Sequence, residues 1–158
     1  GIEASLRRLA HYDYWEDAVR RSLLLDTRAD ILLYGMAEKG IVEVARRLSS
    51  AGPDPRTPGT LNPLLLDGIR GSCVNRKEPP ADAAVLPSYE AVSADRDEFN
   101  KAFRLWHREA DNPSGRTVAQ RHADRWVVHY PPPPPLSQAE LDHVYDLPYT
   151  RQQQPDYV

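Results

Sequence analysis

DTRADILLYGMAEKGIVE, Asp26 to Glu43, holds a strand, a turn and the start of a helix in one short run. Asp26 to Asp30 is polar and turn-like. Ile31-Leu32-Leu33-Tyr34 is then a short apolar run ending at Gly35, which reads as an interior strand covered on both faces. Beyond the glycine turn, Ile41, Val44, Ala45 and Leu48 fall at helical spacing, and Gly52-Pro53 stops the helix. Upstream, Trp15, Val19 and Leu23 recur at i, i+4 and i+8, predicting a helix from about Tyr14 to Leu24. A strand between two helices is the repeating unit of α/β layer structures.

Outward from that unit the pattern continues. Pro53, Pro55, Pro58, Pro63, Pro79 and Pro80 rule out regular helix between Gly52 and Pro80, with room for one short edge strand over Ile69 to Val74. Ala83 to Leu86 is a further strand. Asp95 can cap a helix on which Phe99, Ala102, Phe103, Trp106 and Ala110 share a face, and Asn112-Pro113-Ser114-Gly115 ends it. Trp126 to Tyr130 has strand composition. Pro131 to Pro135 will be polyproline II, a rigid connector on the surface. Ser137 and Glu140 form a capping box for a helix carrying Leu141, Val144 and Tyr145. The fold class predicted is α/β: a partial doubly wound, cobalamin-binding-like sheet with flanking helices and a proline-rich irregular stretch. One domain spans 1–158: an α/β half (1–50), the proline-rich segment (51–82), a strand and helix continuation (83–147), and a tail (148–158) leading to a further domain.

Composition narrows the function. At 158 residues, 41% hydrophobic and 27% charged, the chain can bury one core. It has no apolar run of the roughly 18 residues that a membrane helix needs. A net charge of −3 offers no general attraction to nucleic acid or anionic lipid. One cysteine and no leader sequence fit a cytoplasmic protein, and an opening at Gly1 fits a domain of a longer chain.

The candidate site residues lie at the start. GIEASLRRLAHYDYW crowds Arg7, Arg8, His11, Tyr12, Tyr14 and Trp15 into a short span, with Glu3 before them and Arg20 and Arg21 just beyond. Such arginines commonly pair with carboxylates such as Glu3 or Asp13. Alternatively, Glu3, Arg7, Arg8, His11 and Tyr12 stand exposed at the carboxyl edge of a strand, where ligands of open α/β sheets bind. Guanidinium forks and phenols there suit a carboxylate, a phosphate or an adjoining domain. No catalytic, cofactor-binding or metal residue is assigned. His11, His107, His122, His129 and His143 lack metal-ligand spacing, and Cys73 reads as a small buried hydrophobe. Gly35 to Gly40 fits neither dinucleotide nor P-loop spacing.

The words Glu3-Ala4-Ser5-Leu6-Arg7-Arg8 and Ala10-His11-Tyr12-Asp13-Tyr14-Trp15 resemble the amino-terminal region of the YgiQ-type (UPF0313) radical SAM proteins. Asp26 to Glu43, Val85 to Tyr89, Trp106 to Glu109 with Asn112-Pro113, and Asp146 to Arg151 extend the resemblance in order. It implies a parent that binds a four-iron four-sulfur cluster and S-adenosylmethionine, and that makes a 5′-deoxyadenosyl radical. The CxxxCxxC cluster motif of that family is absent here, so no cofactor is expected in this chain. The DxHxxG cobalamin word is absent too, which makes the glycine turn a vestige without the corrinoid. The implied role is an accessory domain whose partner is the radical SAM catalytic domain of the same polypeptide. The alternative is a non-enzymatic interaction module using the polyproline run and the Arg/Tyr-rich surface.

Overall fold

The computed structural model describes residues 1–51, 63–110, 112–150 and 152. A short helix α1 (Ile2–Leu6) leads into a two-stranded ribbon, β1 (His11–Asp13) and β2 (Ala18–Arg20), then α2 (Leu23–Asp26) and β3 (Ile31–Leu33). Helix α3 (Glu38–Ala51), a 3-10 turn at Pro63–Leu66, β4 (Ser72–Arg76), β5 (Ala84–Leu86), α4 (Tyr89–Ala94) and α5 (Arg96–Glu109) follow. The hairpin β6 (Val118–His122) and β7 (Arg125–His129) precedes the last helix, α6 (Gln138–Tyr145). The second sheet has five strands in the order β3-β4-β7-β6-β5. Its β3-β4, β4-β7 and β6-β7 pairings are antiparallel and β5-β6 is parallel.

The fold is therefore mixed α/β. The partial doubly wound, cobalamin-like sheet is not confirmed, because a doubly wound sheet is built from parallel crossovers and here β6 and β7 join by a tight hairpin. Ala123 takes the left-handed φ of 53° in that turn.

Alternation along the central strands divides the core in two. Cys73, Val118 and Val127 face one side of the sheet, with Leu9, Leu24, Leu32, Tyr34 and Leu86. Val74, Ala119 and Val128 face the other, with Val44, Leu66 and Ile69. The first side is covered by the amino-terminal segment, α2 and α5, the second by α3 and the 3-10 turn. Gly40 lets α3 approach closely: a Cβ there would stand 3.1 Å from Leu33 Cδ2.

Four expectations are corrected. Tyr14 to Leu24 is not one helix; only Leu23 and Leu24 are helical, as the start of α2. Tyr12 pairs with Val19 across the β1-β2 ribbon, and Asp17 turns its tip at a φ of 47°. Trp15 is 82% exposed, so the i, i+4, i+8 spacing marks no buried face. Among the described residues β3 is an outer strand, paired only with β4, although Leu32 is buried as expected. The strand expected at the sheet edge over Ile69 to Val74 is instead β4, flanked by β3 and β7. On α3, Val44 is buried but Ile41, Ala45 and Leu48 are exposed. Pro53, Pro55 and Pro58 lie outside the described residues, as does most of the tail after Pro148.

The polyproline run is tied down. Pro131 is buried and its carbonyl accepts from Gly71 N at 2.8 Å. Arg70 donates to the Pro132 carbonyl at 2.8 Å and also to that of Pro113. Gly71, at a φ of 74°, is needed beneath it, since a Cβ would come within 2.9 Å of Pro133 Cδ. The predicted capping box of α6 is present, Ser137 Oγ accepting from Glu140 N and Glu140 from Ser137 N.

Candidate functional site

The amino-terminal segment crosses one end of the sheet and is fastened by its arginines. Arg7 is buried, donating to Glu3 Oε1 at 2.8 Å, to the Arg21 carbonyl at 3.1 Å and to Asp26. Burial works against the Asp26 carboxylate, but hydrogen bonds from Arg21 and Arg7 outweigh it and hold the group below the usual carboxylate range. Of the two readings Arg7 follows the pairing one and not the exposed one, because two acidic side chains, Glu3 of α1 and Asp26 of α2, converge on it. Leu23 N donates to the Arg7 carbonyl and Ser22 Oγ to the Arg8 carbonyl, fixing α2 against the same segment.

Arg8 enters an aromatic cage. Its guanidinium carbon lies 4.5 Å from the Tyr34 ring centre and 4.6 Å from that of Trp106. Nη1 is 3.3 Å from Nε2 of His129 and Nε donates to the Ser5 carbonyl at 2.8 Å. His129 is wholly buried, stacked on Tyr34 at 4.6 Å and meeting Trp106 edge-on at 4.7 Å. Burial, and then the Arg8 charge, push the imidazole down to about 3, so it is neutral near pH 7. An arginine only donates, which makes Nε2 the acceptor and places the ring proton on Nδ1.

His11 and Tyr12 sit apart from this cage, on the wall of a groove of about 230 Å³. Leu6, Leu9 and Ala10 continue that wall, Phe99, Ala102, Phe103 and Trp106 of α5 form the other, and Leu86, Val92 and Gln120 make the floor. Tyr12 OH donates to Asp17 Oδ1 at 2.7 Å and its ring meets Phe99 at 6.5 Å. Gln120 is 1% exposed; it accepts from Ala10 N at 2.8 Å and donates to the Pro87 carbonyl at 2.9 Å. The groove's mouth is apolar and open, with Leu6 53% and Phe103 57% exposed. So the five candidates separate: Glu3 and Arg7 fasten the segment, Arg8 fills a cage, and His11 and Tyr12 line the groove.

Sequence reasoning missed Tyr34, Trp106, Gln120 and His129 as members of this region. The signal for His129 is its position two residues after Val127, on the same core-facing side of a strand. His122 is a second buried imidazole, stacked on Tyr89 at 5.2 Å and pushed down to about 4, chiefly by burial.

The residues present do not fit an iron–sulfur cluster. Cys73 is the single cysteine of the chain and its thiol, wholly buried, is pushed well above the usual range by that burial. Among the described residues no group of three His, Cys, Asp or Glu side chains is placed to hold a metal ion. No described helix is long and apolar enough to cross a membrane.

The fold and groove define a mixed α/β domain with an open apolar groove. The chain belongs to the family described as Radical SAM N-terminal, which matches residues 1–158. It is 47% identical to a UPF0313 protein of Geobacter sulfurreducens over 99% of this chain and 25% of the relative. UPF0313 proteins of Bradyrhizobium diazoefficiens (44%, over 99% and 25%) and Clostridium botulinum strain 657 (43%, over 99% and 24%) are similar. The chain spans about a quarter of the length of the curated relatives it matches. No solved structure matches.

Proposed function

We propose that this chain is the accessory amino-terminal domain of a radical SAM iron–sulfur protein, acting on the catalytic part of the same polypeptide and not catalytic by itself. The family match across all of 1–158, in relatives some four times as long, carries the reading. Cluster and S-adenosylmethionine belong to the remaining polypeptide, whose thiolates would hold the iron. This chain's part is structural: His11, Tyr12 and the groove offer a surface, and Arg7 with Glu3 and Arg8 with its cage hold that surface in place. A cytoplasmic location suits a lone reduced cysteine.

The test uses the full-length protein. After anaerobic reconstitution with iron and sulfide, it should show the visible absorption of a four-iron cluster and cleave S-adenosylmethionine reductively to 5′-deoxyadenosine. A full-length protein that assembles no cluster under those conditions overturns the reading.

A further inference from the structure

We infer that the groove between β1 and α5, together with the aromatic pair at the ribbon tip, is a docking seat for an apolar helix of the remaining polypeptide. This rests on the accessory-domain reading and specifies its contact surface.

Three features point to a helix. On α5, Phe99, Phe103 and Trp106 recur at i, i+4 and i+7 along one wall, the spacing with which a helix in a groove is gripped. Exposed apolar groups surround the mouth, with Leu6 at 53%, Phe103 at 57% and Tyr12 at 42%. At the tip, Tyr14 and Trp15 are 67% and 82% exposed and lie 4.6 Å apart. Large aromatics held rigidly at a surface are the side chains that most often anchor an interface. Apolar surface gathered in this way is uncommon on a domain that functions alone.

The groove's polar chemistry gives a small ligand little to hold beyond the His11 ring. Both ends of the Gln120 amide are already bonded, and the Tyr12 hydroxyl is engaged by Asp17. A small-molecule site needs a few polar groups free to orient its ligand. Beyond Tyr12 the groove passes into a cleft lined by Asp17, Asp95 and Arg96, so the apolar stripe of the occupant ends there. The occupant is argued from length: relatives carry about three quarters of their chain beyond the region matched here. A covalently joined helix also reaches the groove at high effective concentration.

The experiment places the photo-cross-linker p-benzoylphenylalanine at Phe103 in the full-length protein. Phe103 is more than half exposed, so the domain tolerates the change. The expected product is an intramolecular link to a helical apolar segment outside 1–158. Hydroxyl-radical footprinting should show Trp15 oxidation rising at least about fivefold in full-length Phe103→Asp. A cross-linked dimer would assign the groove to a second copy and overturn the inference. Links confined to 1–158, or Trp15 equally oxidised in both proteins, would overturn it too. Cluster content and S-adenosylmethionine cleavage, measured on the same preparations, report separately on the accessory-domain reading.

Discussion

Arg7 and His129 show how burial decides what a polar side chain does. Removing Arg7 leaves Asp26 half-covered with Arg21 and loses the link to Glu3, so Arg7→Ala should destabilise the chain by about 2–4 kcal/mol. Urea denaturation checks this, and a loss below about 0.5 kcal/mol would return Arg7 to the solvated surface. The buried imidazoles give a pH prediction. His129 and His122, at about 3 and about 4 in the folded chain, lie below the ordinary value of about 6.5. The unfolded chain therefore takes up protons that the folded chain refuses as pH falls below that value. Stability should be full above pH ~6.5 and fall as pH drops from ~6.5 to about 4 for His122 and to about 3 for His129, by up to about 1.4 kcal/mol per pH unit for each. Asp26, Glu109 and Glu140, whose folded values are lowered, add losses only below about pH 4.5. Equal urea midpoints at pH 7.5 and 5 would contradict this.

Among the elements, β3 and α3 share one feature: each is anchored by one central side chain. Leu32 is 6% exposed and Val44 8%, while Ile41 is 55% exposed. Leu32→Ala should cost about 2–4 kcal/mol through the cavity it leaves. Ile41→Ala should cost under about 1 kcal/mol. Thermal or chemical denaturation of both variants checks the difference, and similar costs would mean that α3 packs through another face. Helix α5 was legible in full, since Asp95 caps it by accepting from Asp97 N and Glu98 N. Strand β6 was not, because its run VAQRH reads as polar until Gln120 and His122 are seen buried. Helix α4 went unread as well, although Ser88 caps it through Ala91 N.

For the whole molecule, the absence of a cluster motif gives a direct prediction. Cys73 sits in the core between Leu32 and His129 on neighbouring strands, where no iron can reach it without unfolding. The chain alone, treated anaerobically with iron and sulfide, should gain no stable visible absorption. A stoichiometric cluster on the monomer would refute this.

The sequence alone determined the family, the α/β class and the capped helices α5 and α6. These rest on local signals: caps, helical periodicity, β-branched runs and words of neighbouring residues. Tertiary structure alone decided that Tyr14 to Leu24 opens with a ribbon rather than a helix, because Trp15 has nothing to pack against while Tyr12 pairs with Val19. It also decided that Arg7 is buried and Arg8 caged, since their partners Asp26, Tyr34, Trp106 and His129 come from as far as the opposite end of the chain. Sheet order belongs with these, as β4 becomes an inner strand only when β7 returns to pair beside it. Long-range pairing leaves no mark on local spacing, and it set the sheet order and the partners of Arg7 and Arg8.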